Sequence, residues 1–119
     1  MVYYANYLKF LEEARTEFLE ERGISIKELT QQGTVFVVAR QEIDYKSPSF
    51  YGDVLQVSTR LANIRIAKLE YEHEIKNQDG RTVCLAKTTL VCVDKDLKPK
   101  AIPEEVRKKL SYINGGDVL

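Results

Sequence analysis

Tryptophan is absent from this 119-residue chain, methionine and histidine occur once each, and cysteine occurs twice. No metal-ligand spacing can be assembled from so few soft or imidazole donors, and no Ser–His–Asp set forms around the one histidine, His73. No apolar run approaches the ~20 residues that would span a bilayer, and no secretory h-region opens the chain. The cytoplasm is therefore the expected compartment. Charge of one sign is missing too, since 18 basic residues offset 18 acidic ones. So weak an overall field argues against a dedicated nucleic-acid binder, while leaving a local basic patch open. There is no Gly-rich phosphate loop.

What is present is ordinary globular material, 44% hydrophobic and 30% charged, at a length that fits one domain spanning 1–119 with its own core. Cys84 and Cys92 fall eight residues apart on one predicted strand. At roughly 3.3 Å per residue they lie about 26 Å apart, which excludes a disulfide between them and leaves two free, buried, structural thiols.

Periodicity assigns the elements. Tyr7, Phe10, Leu11, Ala14, Phe18 and Leu19 recur at spacings of three and four, predicting an amphipathic helix over 5–22, with Asn6 as a cap and Gly23 as a left-handed stop. Ser25 and Glu28 form a capping-box pattern that predicts a short second helix over 25–31. Beyond Gly33 the period becomes two. Strands are predicted over Thr34–Asp44, Val54–Ala62, around Leu69–Lys76 and over Thr82–Val93, with a turn at Asn77–Gly80. In the third, Leu69, Tyr71, His73 and Ile75 alternate with Glu70, Glu72, Glu74 and Lys76, the pattern of a sheet with one wet face. A short helix is expected from Pro103, then a loose tail over 110–119. The apolar face of such a sheet needs a cover, and the helix at 5–22 is the only long amphipathic element available. The expectation is an α+β hotdog fold, although composition alone does not separate it from other α+β sandwiches.

Three stretches, in this order and spacing, strengthen that expectation. They are Val2-Tyr3-Tyr4-Ala5-Asn6-Tyr7-Leu8 with Glu13-Ala14-Arg15, then Tyr45-x-x-Pro48-x-x-x-Gly52-Asp53, then Val91-Cys92-Val93-Asp94 leading to Ile102-Pro103. Together they resemble hotdog acyl-CoA thioesterases of the 4-hydroxybenzoyl-CoA thioesterase family, in its Tol–Pal-associated bacterial branch. The resemblance covers Met1 to about Val106. It implies a thioester hydrolase acting on an acyl-CoA or acyl-carrier-protein substrate. Coenzyme A enters as part of the substrate and no separate cofactor or metal is required. It also implies a homo-oligomer, dimer or tetramer, with sites at the subunit interface. In relatives a further strand and an Asp-x-x-Gly turn precede the helix, and that Asp carries the hydrolysis. By register it maps ahead of Met1, so low or no activity is expected of the 119 residues alone, and a non-catalytic module binding acyl thioesters or a protein partner is the alternative.

Hydrolysis needs a base or nucleophile and a place for the developing oxyanion. A helix start supplies the second through its unpaired amides and its dipole. The resemblance places the Tyr4 N–H there, with Asn6 one turn away to orient water or the carbonyl; a packing aromatic and a plain cap are the structural alternatives. Arg65 and Lys68, on the turn between the second and third strands, are the candidates for the phosphates of coenzyme A, and exposed turn cations are the alternative. Glu12 and Glu13 read as solvated or interface charges, with Glu13 and Arg15 near a subunit contact. His73 reads as a half-buried core or interface residue.

Overall fold

The computed structural model describes residues 4–110, with side chains from Tyr7 onward. The elements run α1 (Tyr4–Glu21), α2 (Ile26–Gln31), β1 (Val35–Tyr45), β2 (Gln56–Ile64), β3 (Lys68–Lys76) and β4 (Thr82–Val93). A further helical stretch covers 104–110. α1 stops where its glycine permits. Gly23, at φ 76°, lets Gly23 N–H reach the Glu20 carbonyl and Ile24 N–H reach that of Leu19, and Ile24 and Leu19 are both buried in the same cluster. Ser25 caps α2 by accepting from the Glu28 amide at 3.2 Å, as its capping-box position predicts.

The four strands form one fully antiparallel sheet in the order β1-β4-β3-β2. β2–β3 and β3–β4 are hairpins, and β1 returns to pair with β4, so the loop over 46–55 crosses from one edge of the sheet to the other. The register aligns inward-facing rows, among them Tyr45–Cys84–Ile75–Val57 and Ile43–Ala86–His73–Thr59. Irregularities at Ala39 and Ala62 each insert one residue and so keep the inward alternation in phase beyond them. The inward face carries Leu69, Tyr71, His73 and Ile75 of β3, none more than 3% exposed. It is covered by the stripe Tyr7, Leu11, Arg15, Phe18 and Leu19 of α1. A sheet wrapped on one helix is the arrangement the alternation called for.

Several boundaries differ by one or two residues. β2 starts at Gln56 rather than Val54, because the Val54 amide donates to the Gln78 side chain at 3.0 Å instead of joining the ladder. β1 runs on to Tyr45, which pairs with Cys84. Leu110, placed in the loose tail, is 1% exposed and packs with Ile102 and Val106 in the core; the remainder of that tail, 111–119, lies outside the described residues.

The core falls into two clusters. One gathers around the first half of α1, with Tyr7, Leu11, Ile75, Val83, Cys84 and Ala86. The other gathers around its second half, α2 and the 104–110 helix, and includes Phe18, Leu19, Leu61, Leu69, Tyr71 and Leu110. Between them lie Arg15, Thr59 and His73. Both cysteines are free and buried, one in each cluster.

Candidate active site at the start of the central helix

The first turn of α1 holds amides that no residue within the helix can satisfy, and the helix dipole makes that end electropositive. Tyr4 begins the helix, so its N–H belongs to that first turn. The side chains of Tyr4 and Asn6 lie outside the described residues, as does Tyr3 entirely. The first described side chain is Tyr7, 3% exposed, whose hydroxyl makes a short hydrogen bond with Ser49 Oγ. Its ring packs on Tyr45, centroids 5.7 Å apart. Ser49, itself 1% exposed, belongs to the 46–55 loop, so this bond fastens the loop to the opening turns of α1.

The rest of that loop is held by its own turn. Asp53 accepts from the Phe50 amide at 2.8 Å and from Gln78 at 3.1 Å. These bonds hold its carboxyl below the usual range, that from Phe50 contributing most. Gly52 sits at φ 92°, which a side chain would strain. The turn leaves Phe50 and Tyr51 at 58% and 99% exposed, beside the docked Ser49. The loop thus gathers the buried Ser49, the half-exposed Tyr45 ring and an exposed aromatic tip around the buried Tyr7. Sequence spacing identified Tyr45, Pro48, Gly52 and Asp53 as a motif. It did not reveal that Ser49 is the residue that ties them to Tyr7, because that contact spans 42 positions.

Arg65 and Lys68 share the β2–β3 turn, as expected, and both are exposed. The Arg65 amide donates to the Lys68 carbonyl at 2.8 Å, while Arg65 Nε donates to Glu70 at 2.8 Å and draws that carboxyl below its ordinary pKa. The turn is braced from outside its own hairpin: Arg107 of the 104–110 helix donates to the Arg65 and Ile66 carbonyls. The two cations are thus brought together on a fixed turn.

Two residues singled out in the sequence, His73 and Arg15, are buried. His73, expected half-buried, is 3% exposed, with Nδ1 at 3.1 Å from Thr59 Oγ1. Burial and the nearby Arg15 charge lower its pKa to about 4, so it is neutral at pH 7. Arg15, expected near a subunit contact, is 9% exposed and points at the sheet, because its position four residues after Leu11 and four before Leu19 lies on the buried stripe. Among the described residues, no group of His, Cys, Asp and Glu side chains is placed to hold a metal, and no helix is long and apolar enough to cross a membrane. The opposite face of the sheet has a hollow of about 640 Å³. It alternates charges in rows such as Glu42–Lys87–Glu72–Arg60, with Arg60 and Glu72 ion-paired, as a solvated face does.

Residues 1–110 match the model of the thioesterase-like superfamily. The chain belongs to that superfamily. The protein described as acyl-CoA thioester hydrolase YbgC of Escherichia coli O6:H1 is 32% identical over 107 residues, 89% of this chain and 80% of that protein. The long-chain acyl-CoA thioesterase FadM of Escherichia coli K12 is 34% identical over 111 residues, 92% of this chain and 83% of that protein. In three dimensions, the DHNA-CoA thioesterase of Staphylococcus aureus superposes with a TM-score of 0.86 at 25% identity, over 98% of this chain and 83% of that one. The hotdog expectation is thereby met in both sequence and structure.

Proposed function

We propose that the chain hydrolyses the thioester of an acyl-CoA to the free acid and coenzyme A. The observation that carries this reading is the pairing of superfamily membership with an α1 start that lies beside the docked Tyr7–Ser49 loop. A thioester carbonyl placed at the Tyr4 amide gains its hydrogen bond as charge builds on oxygen, which is when such a donor lowers the barrier. Asn6 orients the attacking water or the carbonyl, and Arg65 and Lys68 meet the phosphates of coenzyme A. Acyl-carrier-protein thioesters enter on the same chemistry.

The protein is proposed to work as a homo-oligomer, dimer or tetramer, in the cytoplasm. β1 supports the association: among the described residues it is an edge strand of the sheet, and Val38 on it is 51% exposed. Steady-state hydrolysis of short, long and aromatic acyl-CoAs tests the reading, with turnover of at least one class the expected result. Coenzyme A binding without turnover would favour a binding module, and neither binding nor turnover would defeat the reading.

A further inference from the structure

Two aliphatic side chains far from the helix start, Ile66 and Leu97, are 76% and 70% exposed, each on a turn. The backbone brings these turns together. The Ala67 carbonyl accepts from the Cys92 amide at 2.7 Å, and that of Ile66 from the Ile102 amide at 2.8 Å. Beyond Cys92 the chain doubles back, the Asp94 amide donating to the Lys98 carbonyl at 2.9 Å and the Lys100 amide to that of Cys92 at 3.0 Å. Both turns therefore leave the same end of the sheet. Each is also fixed. Arg107 holds the first through the Arg65 and Ile66 carbonyls, and the Asp94 carboxylate closes the second by accepting from the Asp96 and Lys98 amides at 2.8 and 3.0 Å.

Leu97 has φ 64°, a left-handed backbone that glycine adopts freely and a residue with a Cβ adopts at a cost. Its side chain lies in solvent and adds nothing to the core. A residue unfavourable in its backbone and unused in packing points to a role outside the fold. Its neighbours say which. Over 65–68 and 94–100 stand the cations Arg65, Lys68, Lys95, Lys98 and Lys100 against the carboxylates Asp94 and Asp96, in a chain whose net charge is zero. Lys68, Lys95 and Lys98 are exposed and enter no ion pair among the described residues. The neutral total thus conceals a local basic patch. Aliphatic side chains on turn tips, flanked by unpaired cations, complement hydrocarbon lying beneath a layer of negative headgroups. A protein partner would have to match two separate tips in shape, and neither stretch carries the aromatic side chains that anchor such interfaces.

We propose that the end of the sheet formed by the 65–68 and 94–98 turns docks on a bilayer surface rich in anionic phospholipid, with Ile66 and Leu97 seated among the headgroups. The association is peripheral, and it stands whether or not the chain hydrolyses thioesters.

The test is co-sedimentation of the 119-residue chain with vesicles of equal parts phosphatidylglycerol and phosphatidylcholine, against vesicles of phosphatidylcholine alone. Partition onto the anionic vesicles is expected, with little onto the neutral ones and a fall of about tenfold or more in high salt. Leu97→Gly suits the left-handed backbone and should keep or raise the melting temperature while lowering partition severalfold. Lys95→Gln with Lys98→Gln should lower it about twentyfold, at roughly fivefold per cation. These variants leave Arg65 and Lys68 in place. Failure to sediment with anionic vesicles, equal partition onto neutral ones, or a Leu97→Gly chain that partitions as strongly as the original would each overturn the proposal. Capture by immobilised polyglutamate without vesicle binding would overturn it too, in favour of an acidic protein partner.

Discussion

The two halves of the core are built differently. Around the second half of α1, Phe18, Leu19, Leu29, Leu61, Leu69, Leu90 and Leu110 are knitted together from two helices, the 104–110 stretch and three strands. Around the first half, a smaller group of Tyr7, Leu11, Ile75, Val83, Cys84 and Ala86 is closed on one side by a loop that hangs on Ser49. The belt of Arg15, Thr59 and His73 keeps them apart. The distal half is assembled for stability, with aliphatic side chains interlocked from elements far apart in sequence. The proximal half is leaner, and hydrogen bonds from tyrosine and serine hold in place what hydrophobic burial alone would leave loose. The candidate site sits at the lean end, where geometry can be adjusted without disturbing the larger core.

Leu69→Ala tests that division most severely. Leu69 is fully buried in the distal half, and its truncation should cost about 3–4 kcal/mol of stability. Turnover per folded molecule should stay unchanged, as measured by urea denaturation and by hydrolysis below the melting range. A matching loss of activity would erase the distinction between the halves.

The belt itself carries the next effect. His73 is neutral in the folded chain, its pKa lowered from 6.5 to about 4, first by burial and then by Arg15. Between those values the unfolded chain binds a proton that the folded chain refuses, so stability is lost as pH falls from 6.5 toward 4 and is unaffected by this group above about 7. The full span corresponds to about 3 kcal/mol. Urea midpoints across that window should decline steeply for the original chain and distinctly less for His73→Gln.

Smaller effects should separate site from scaffold. Ser49→Ala removes the partner of the Tyr7 hydroxyl and should cost about 1–2 kcal/mol in stability. Its larger signature should be a fall in kcat as the loop comes away from the helix start. Arg65→Ser should change stability by less than ~0.5 kcal/mol, because its pairing with Glu70 is exposed. It should raise KM for acyl-CoA with little change in kcat, since a phosphate contact remote from the carbonyl binds substrate and transition state alike.

Much of this molecule was legible in its sequence, and the failures follow a pattern. Period-2 alternation placed β3 correctly because each of its residues obeys one face. The 3.6-residue stripe placed α1, and Gly23 and Ser25 marked the helix boundaries because their chemistry is local. What could not be read was tertiary. The stripe of α1 was drawn around its apolar members, so Arg15 was left beside a subunit contact although its spacing from Leu11 and Leu19 puts it on the buried stripe. His73 was placed on the face of Leu69, Tyr71 and Ile75 by its alternation with Glu72 and Glu74, and only the depth of its burial was missed. Ser49 carried no signal at all, since nothing in a Ser between Pro48 and Phe50 announces a partner on a helix 42 residues earlier. The base for the proposed chemistry belongs to the same class, because its position comes from the resemblance and not from the spacing of residues present.

The two thiols lend the molecule a property unrelated to any reaction. Cys84 resides in one compartment and Cys92 in the other, and burial raises the pKa of both, making them slow nucleophiles while the fold is closed. Alkylation therefore waits on local opening, and peptide mapping of the modified chain distinguishes which sulfur reacted first. The protein carries a pair of internal clocks, one per compartment, that time how each half breathes without a single engineered label.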